Sequence, residues 1–127
     1  MVLSNSLIEC TEEAFVDILN YVGTDAIFVH CRSKDTDLGM TQIDPGEDYM
    51  FKFMPNFFGS TSFWCEFIWK SLTQDFNVWR GEDYLDRMPC SVTGSCAYKV
   101  SPEGFYWSST LLAADDEGWT FWKNWES

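Results

Sequence analysis

The 127-residue chain has no apolar run long enough to cross a bilayer: Phe63–Cys65 and Phe67–Trp69, among its longest, are broken by Glu66 and Lys70. Met1–Ser6 has neither a basic start nor an apolar h-region, so a signal peptide, if the protein is secreted, is expected to have been cut away. Asn5, Asn20, Asn56, Asn77 and Asn124 all fail at the third position of the N-x-[ST] sequon, which argues against N-glycosylation. Histidine occurs once, at His30, beside Cys31. Neighbours in a strand point to opposite faces and no second imidazole exists, so a Cys–His nucleophile pair is not expected. Basic residues are scarce, with 8 Lys and Arg against 20 Asp and Glu, a net charge of -12. Such a surface repels nucleic-acid phosphates and anionic headgroups. Neither nucleic-acid binding nor direct membrane insertion is expected, and a cationic patch on a protein partner fits better. Repeats, low-complexity runs and internal linkers are also missing.

What the chain has in quantity is apolar and aromatic surface, 46% and 18% of residues, including 7 Trp and 11 Phe. That is too apolar for a disordered chain, and the length suits one domain. Residues 1–12 are expected to be a flexible segment ahead of a single domain over 13–127. Short apolar segments recur between turn residues, the spacing of a sandwich or barrel. Strands are expected at Ala14–Leu19, Ala26–Arg32, Met40–Ile43, Tyr49–Met54, Ser60–Trp69, Asp75–Arg80, Cys96–Val100 and Phe105–Ser109. Pro45-Gly46 fits the centre of a type II turn, and Ser33–Gly39 and Gly81–Pro89 are polar loops. The tail Thr110–Ser127 carries Trp119, Trp122 and Trp125 three apart, fitting a helical turn or an aromatic tail on the sheet. The fold class is therefore all-β, an antiparallel β-sandwich of about eight strands, with Asp17, Lys52 and Glu66 on wet faces.

The chain has 5 cysteines. Cys31, Cys65, Cys90 and Cys96 in the body fit two disulfides in an oxidising compartment, with three pairings open. Zinc is the weaker reading, because the nearest pair, Cys90 and Cys96, is separated by five residues and no Cys/His knuckle exists. Cys10 stands apart, available for a link between two chains. Asp35 and Asp37 do not complete a calcium loop, since Gly39 takes the next ligand position and Glu47 falls one place late. Asp115-Asp116-Glu117 and Glu82-Asp83 offer carboxylate pairs that nothing distinguishes from solvated loop charge. No cofactor is implied. Trp64, Trp79 or Trp107, if exposed, would suit stacking on a sugar ring, although packing is the commoner use.

Four landmarks occur in order: His30-Cys31-Arg32-Ser33-Lys34-Asp35-Thr36-Asp37-Leu38-Gly39; Tyr49-Met50-Phe51-Lys52-Phe53; Phe63-Trp64-Cys65-Glu66-Phe67; and Cys90 to Cys96 followed by the Gly104-Phe105-Tyr106 hairpin. Together they resemble the plant self-incompatibility S1 family, the S-protein homologues, over roughly Phe15 to Tyr106. Cys10 and the Trp-rich end from Asp115 stand outside the resemblance. It implies a small, secreted, cysteine-paired β-sandwich. It further implies a non-enzymatic extracellular ligand of a plasma-membrane receptor protein, in pollen–pistil or related cell–cell signalling. The contact residues expected on this reading are Arg32, Lys34, Asp35 and Asp37 in one loop, and Arg80, Glu82, Asp83 and Arg87 in the other. The alternative is an extracellular carbohydrate-binding or wall-associated module.

Overall fold

The computed structural model describes residues 13–55, 61–81, 95–108 and 118–127. Among them nine strands form: β1 Ala14–Asn20, β2 Ile27–Arg32, β3 Asp37–Ile43, β4 Asp48–Phe53, β5 Ser62–Trp69, β6 Leu72–Arg80, β7 Ser95–Ser101, β8 Gly104–Ser108 and β9 Thr120–Lys123. They make a five-stranded sheet ordered β4-β1-β7-β8-β9 and a four-stranded sheet ordered β3-β2-β5-β6. The alternating sequence explains the sandwich. Val16 and Ile18 of β1, Ile27, Val29 and Cys31 of β2, Phe63, Cys65 and Phe67 of β5, and Tyr98 and Val100 of β7 are all buried in one core. Burial of this apolar area drives the two faces together.

Several expectations need correction. The sheets are not purely antiparallel, because β1 pairs parallel with β7. A parallel neighbour needs a long crossover, and here β2 to β6 lie between the two strands in sequence. Their partnership also puts β1 inside its sheet, so Asp17 is not wet but only 7% exposed. β3 begins at Asp37, inside the stretch expected to be loop, and β6 begins at Leu72, three residues before Asp75. Of the two readings of Trp119, Trp122 and Trp125, the aromatic tail on the sheet holds and the helical turn does not: β9 extends the five-stranded sheet, and Trp122 and Trp125 pack against the core. The Asp44–Glu47 turn follows the expectation, with Gly46 at φ 79° and the Glu47 amide donating to the Asp44 carbonyl at 3.0 Å.

Cys31 and Cys65 lie directly opposite on β2 and β5, Cα–Cα 4.0 Å, and form a disulfide within one sheet instead of bridging the two. Cys96 is disulfide-bonded too, with its partner outside the described residues. Cys10 and Cys90 lie outside the described residues, as do Glu82, Asp83, Arg87 and the 115–117 acidic run.

Three polar devices join the sheets. Asn20 is fully buried, and its amide Nδ2 donates to the Asp25 and Ile43 carbonyls, both at 2.9 Å, while its Oδ1 accepts from the Val22 amide at 3.0 Å. Tyr98 Oη donates across the core to the Val78 carbonyl at 2.8 Å. Val78 is the extra residue where Trp64 pairs with Asn77 and Phe63 with Trp79, a bulge that also explains why Val78 and Trp79 are both buried. The tail then crosses to the other sheet. Trp125 Nε1 donates to the Ser101 carbonyl at 2.9 Å, and Glu126 exchanges two backbone hydrogen bonds with Thr73 on β6.

Candidate interaction surface

Cross-strand register fixes which side chains share the outer face of the four-stranded sheet. One row runs Gln42, Phe28, Ile68, Thr73; the next runs Met40, His30, Glu66, Asp75. A third carries Asp37, Arg32, Trp64 and Asn77. Large apolar groups stand in the open, with Phe28 39% and Met40 56% exposed.

The predicted loop residues sit at one end of this face. Ser33–Thr36 is a closed turn: the Ser33 amide donates to the Thr36 carbonyl at 2.7 Å, and the Thr36 amide donates to Ser33 Oγ at 3.1 Å. Lys34 and Asp35 are its two exposed central residues, and Arg32 and Asp37 face one another across its base. The structure thus brings Arg32, Lys34, Asp35 and Asp37 onto one hydrogen-bonded hairpin. Arg80, half-buried, ends β6 opposite Ser62, on the same face by register.

The polar groups of the face are held by one another. His30 Nε2 contacts Asp37 Oδ1 at 2.6 Å, and the Gly39 amide donates to the same oxygen at 2.9 Å. The Gly39 amide, and then His30, hold the Asp37 carboxyl below the usual aspartate range. The Arg32 guanidinium lies 4.4 Å over the Trp64 ring, whose Nε1 donates to Asp75 Oδ2 at 3.1 Å. This arrangement fixes orientation and leaves donor and acceptor capacity free. His30 and Asp75 were not among the expected contacts. His30 was read only against Cys31, and its pairing with Asp37 becomes visible once Asp37 is counted as strand. His30 and Cys31 do face opposite ways, the first to solvent and the second to the core.

The three tryptophans considered for sugar stacking serve other contacts. Trp79 is buried, Trp107 packs against the core, and Trp64 is covered by Arg32. Among the described residues no cluster of His, Cys, Asp and Glu could hold a metal, and no helix is long and apolar enough to cross a membrane.

Residues 15–125 match the profile of the plant self-incompatibility protein S1 family, extending the motif resemblance through the tryptophan-rich tail. S-protein homolog 5 of Arabidopsis thaliana is 33% identical over 89 residues, 70% of this chain and 66% of the relative. S-protein homolog 2 of the same plant is 37% identical, covering 74% of this chain and 59% of the relative. Self-incompatibility protein S1 of Papaver rhoeas is 33% identical, covering 72% and 65%. The chain therefore spans 59–66% of the length of these curated relatives. The fold is shared with a solved structure of SPH (self-incompatibility protein homologue) proteins, described as a widespread family of small, highly stable, secreted plant proteins. The TM-score is 0.64 at 18% identity, over 92% of this chain and 97% of that one. On the matched profile and these relatives, the chain belongs to the plant self-incompatibility S1 family of S-protein homologues.

Proposed function

We propose that this protein is a secreted extracellular ligand for a plasma-membrane receptor protein, acting by binding and not by turnover, in self-incompatibility or related plant cell–cell signalling. The observation that carries the reading is the hydrogen-bonded Arg32–Asp37 hairpin at the end of an open sheet face. Arg32 is held against Trp64, and Asp37 by His30 and the Gly39 amide, so little order is lost at these two when a partner engages them. The Cys31–Cys65 disulfide supports an oxidising, extracellular setting, as do relatives described as secreted. Residues 13–127 act as one module on this reading, with 1–12 ahead of it. Arg80 extends the contact from the same end, and Glu82, Asp83 and Arg87, outside the described residues, belong to the contact on this reading. The net charge of -12 favours a receptor of basic overall character, with an acidic group set to meet Arg32 and Lys34.

The test is binding of labelled, oxidised protein to intact plant cells, including pollen, before and after mild surface proteolysis. The part of the saturable binding that depends on Arg32 should vanish on proteolysis. It should also weaken about tenfold in Arg32→Glu, the range for a lost charged anchor, with an unchanged thermal midpoint. Arg32-dependent binding that survives proteolysis, or saturable binding that ignores Arg32→Glu and Lys34→Glu alike, would remove the receptor reading.

A further inference from the structure

On the opposite side of the sandwich, the outer face of the five-stranded sheet carries an aromatic row that the reading above leaves unused. Lys99 of β7 faces Tyr106 of β8, which pairs with Phe121 of β9, and Tyr21 follows the end of β1 with its amide bonded to the Val100 carbonyl. Three rings surround the Lys99 ammonium: Tyr106 at 4.9 Å, Trp119 at 5.3 Å and Tyr21 at 5.9 Å. Tyr106 meets Phe121 edge-on at 5.3 Å and donates its hydroxyl to Glu103 at 3.0 Å. Tyr21 and Phe121 are nonetheless 46% and 45% exposed, so each offers an open ring. With adjacent strands about 4.8 Å apart, the row from Tyr21 to Phe121 spans about 14 Å.

We propose that this row binds a neutral, linear oligosaccharide. A sugar ring presents a face of C–H bonds that suits the negative face of an aromatic ring, and its hydroxyls need both donors and acceptors. Lys99 supplies the donor and Glu103 the acceptor, held on the same side as the rings. Charge selects the occupant. Lys99 and Glu103 offset one another, and Asp48, in the Lys99 row beyond Leu19, joins the -12 of the whole chain in repelling polyuronates. A cationic ligand would have to displace Lys99 from the rings it already occupies. The length of the row matches an extended chain of about three sugar rings, given the strand spacing. This site is separate from the Arg32 hairpin and does not depend on it.

The oxidised, isotope-labelled protein is titrated with cellohexaose, mannohexaose and a xyloglucan oligosaccharide, and with hexagalacturonate as the anionic comparison. Amide shifts and tryptophan emission are followed. At least one neutral sugar should saturate, moving the amides of Tyr21, Lys99, Tyr106 and Phe121. Tyr21→Ala and Phe121→Ala should each weaken it about tenfold, as for a lost aromatic anchor, at an unchanged melting midpoint, and Arg32→Glu should leave it alone. Absence of saturation by any neutral sugar would overturn the proposal, as would saturation by hexagalacturonate alone or shifts confined to other faces. A concentration-dependent dimer abolished by Phe121→Ala would overturn it as well, assigning the row to self-association. Because the shift map is read on the unaltered protein, a poorly folding variant does not remove the test.

Discussion

Replacing Asp17 with Asn asks whether the five-stranded sheet stores a neutral carboxylic acid. Asp17 is 7% exposed in a strand flanked on both sides, and its Oδ1 has no hydrogen-bond partner. Burial, then a hydrogen bond and repulsion from Asp48, push its pKa from 3.8 to about 8. Asp48 lies opposite Leu19, diagonal to Asp17 on the neighbouring strand. The folded state therefore holds a proton that the unfolded chain releases near pH 4. Stability is full below pH 4 as far as this group is concerned, and falls by about 1.4 kcal/mol per pH unit up to pH 8. Over the rise from 3.8 to about 8 the loss is on the order of 6 kcal/mol, a large part of the roughly 5–15 kcal/mol of a typical domain. Asp25, Asp37 and Glu103, whose pKa values are lowered, act in the other direction and lose their contributions only in more acid solution. The assay is denaturant unfolding at pH 4.5, 6, 7.5 and 9. The wild type should lose stability steadily as pH rises. Asp17→Asn, which keeps a donor toward Asp48 and cannot ionise, should lie on a much flatter line and exceed the wild type at pH 9. Parallel slopes for the two proteins, or a carboxyl ¹³C midpoint for Asp17 near 4, would refute the reasoning.

Asn20→Ala should cost about 3–5 kcal/mol by chemical denaturation, because it leaves the Ile43 and Asp25 carbonyls and the Val22 amide without partners. Cys31→Ala with Cys65→Ala should lower stability by about 4 kcal/mol, from the chain entropy of a link spanning a sequence separation of 34. A loss under about 1 kcal/mol would mean that the sheet alone holds these strands in place. Gly104→Ala should be poorly tolerated. Its φ is +144°, and an added Cβ would press into the Lys123 carbonyl, lifting β9 from β8. A drop in melting temperature of several degrees, with increased exchange of the Thr120–Lys123 amides, is the expected signature.

The core was legible because alternation is a local signal. Phe63, Cys65 and Phe67 declare one face of β5 whatever lies opposite. The strand partners were not legible, since pairing of β1 with β7 depends on where some eighty intervening residues travel. The error at Asp17 followed from that gap. An Asp between Val16 and Ile18 reads as the wet side of a two-sided strand, and only the flanking strands reveal that the wet side is covered. The hairpin was half legible. Ser33, Asp35 and Gly39 gave the turn chemistry, but Leu38 and Met40 were too weak an apolar signal to show that β3 starts at Asp37. The His30–Asp37 contact was hidden with it. The tail was ambiguous for a different reason: a spacing of three fits a helix, and Trp122 and Trp125 instead face the core from a short strand and the chain that follows it.

A two-layer sandwich has two outer faces, and here their chemistry differs. The four-stranded face spends its aromatics on fixing charge, with Trp64 under Arg32 and bonded to Asp75. The five-stranded face does the reverse, using the charge of Lys99 to gather Tyr21, Tyr106 and Trp119. A surface of the first kind selects by charge, so its binding should weaken steeply with salt. A surface of the second kind selects by shape and stacking, and its binding should be nearly indifferent to salt. Measuring both interactions at 50 and 500 mM NaCl separates them without a single substitution. Cell binding through the Arg32 hairpin should fall several-fold across that range, and oligosaccharide binding at the Lys99 row should change by less than about twofold. Equal salt sensitivity would mean that the two faces are one electrostatic surface, and the division argued from Arg32 and Lys99 would fail.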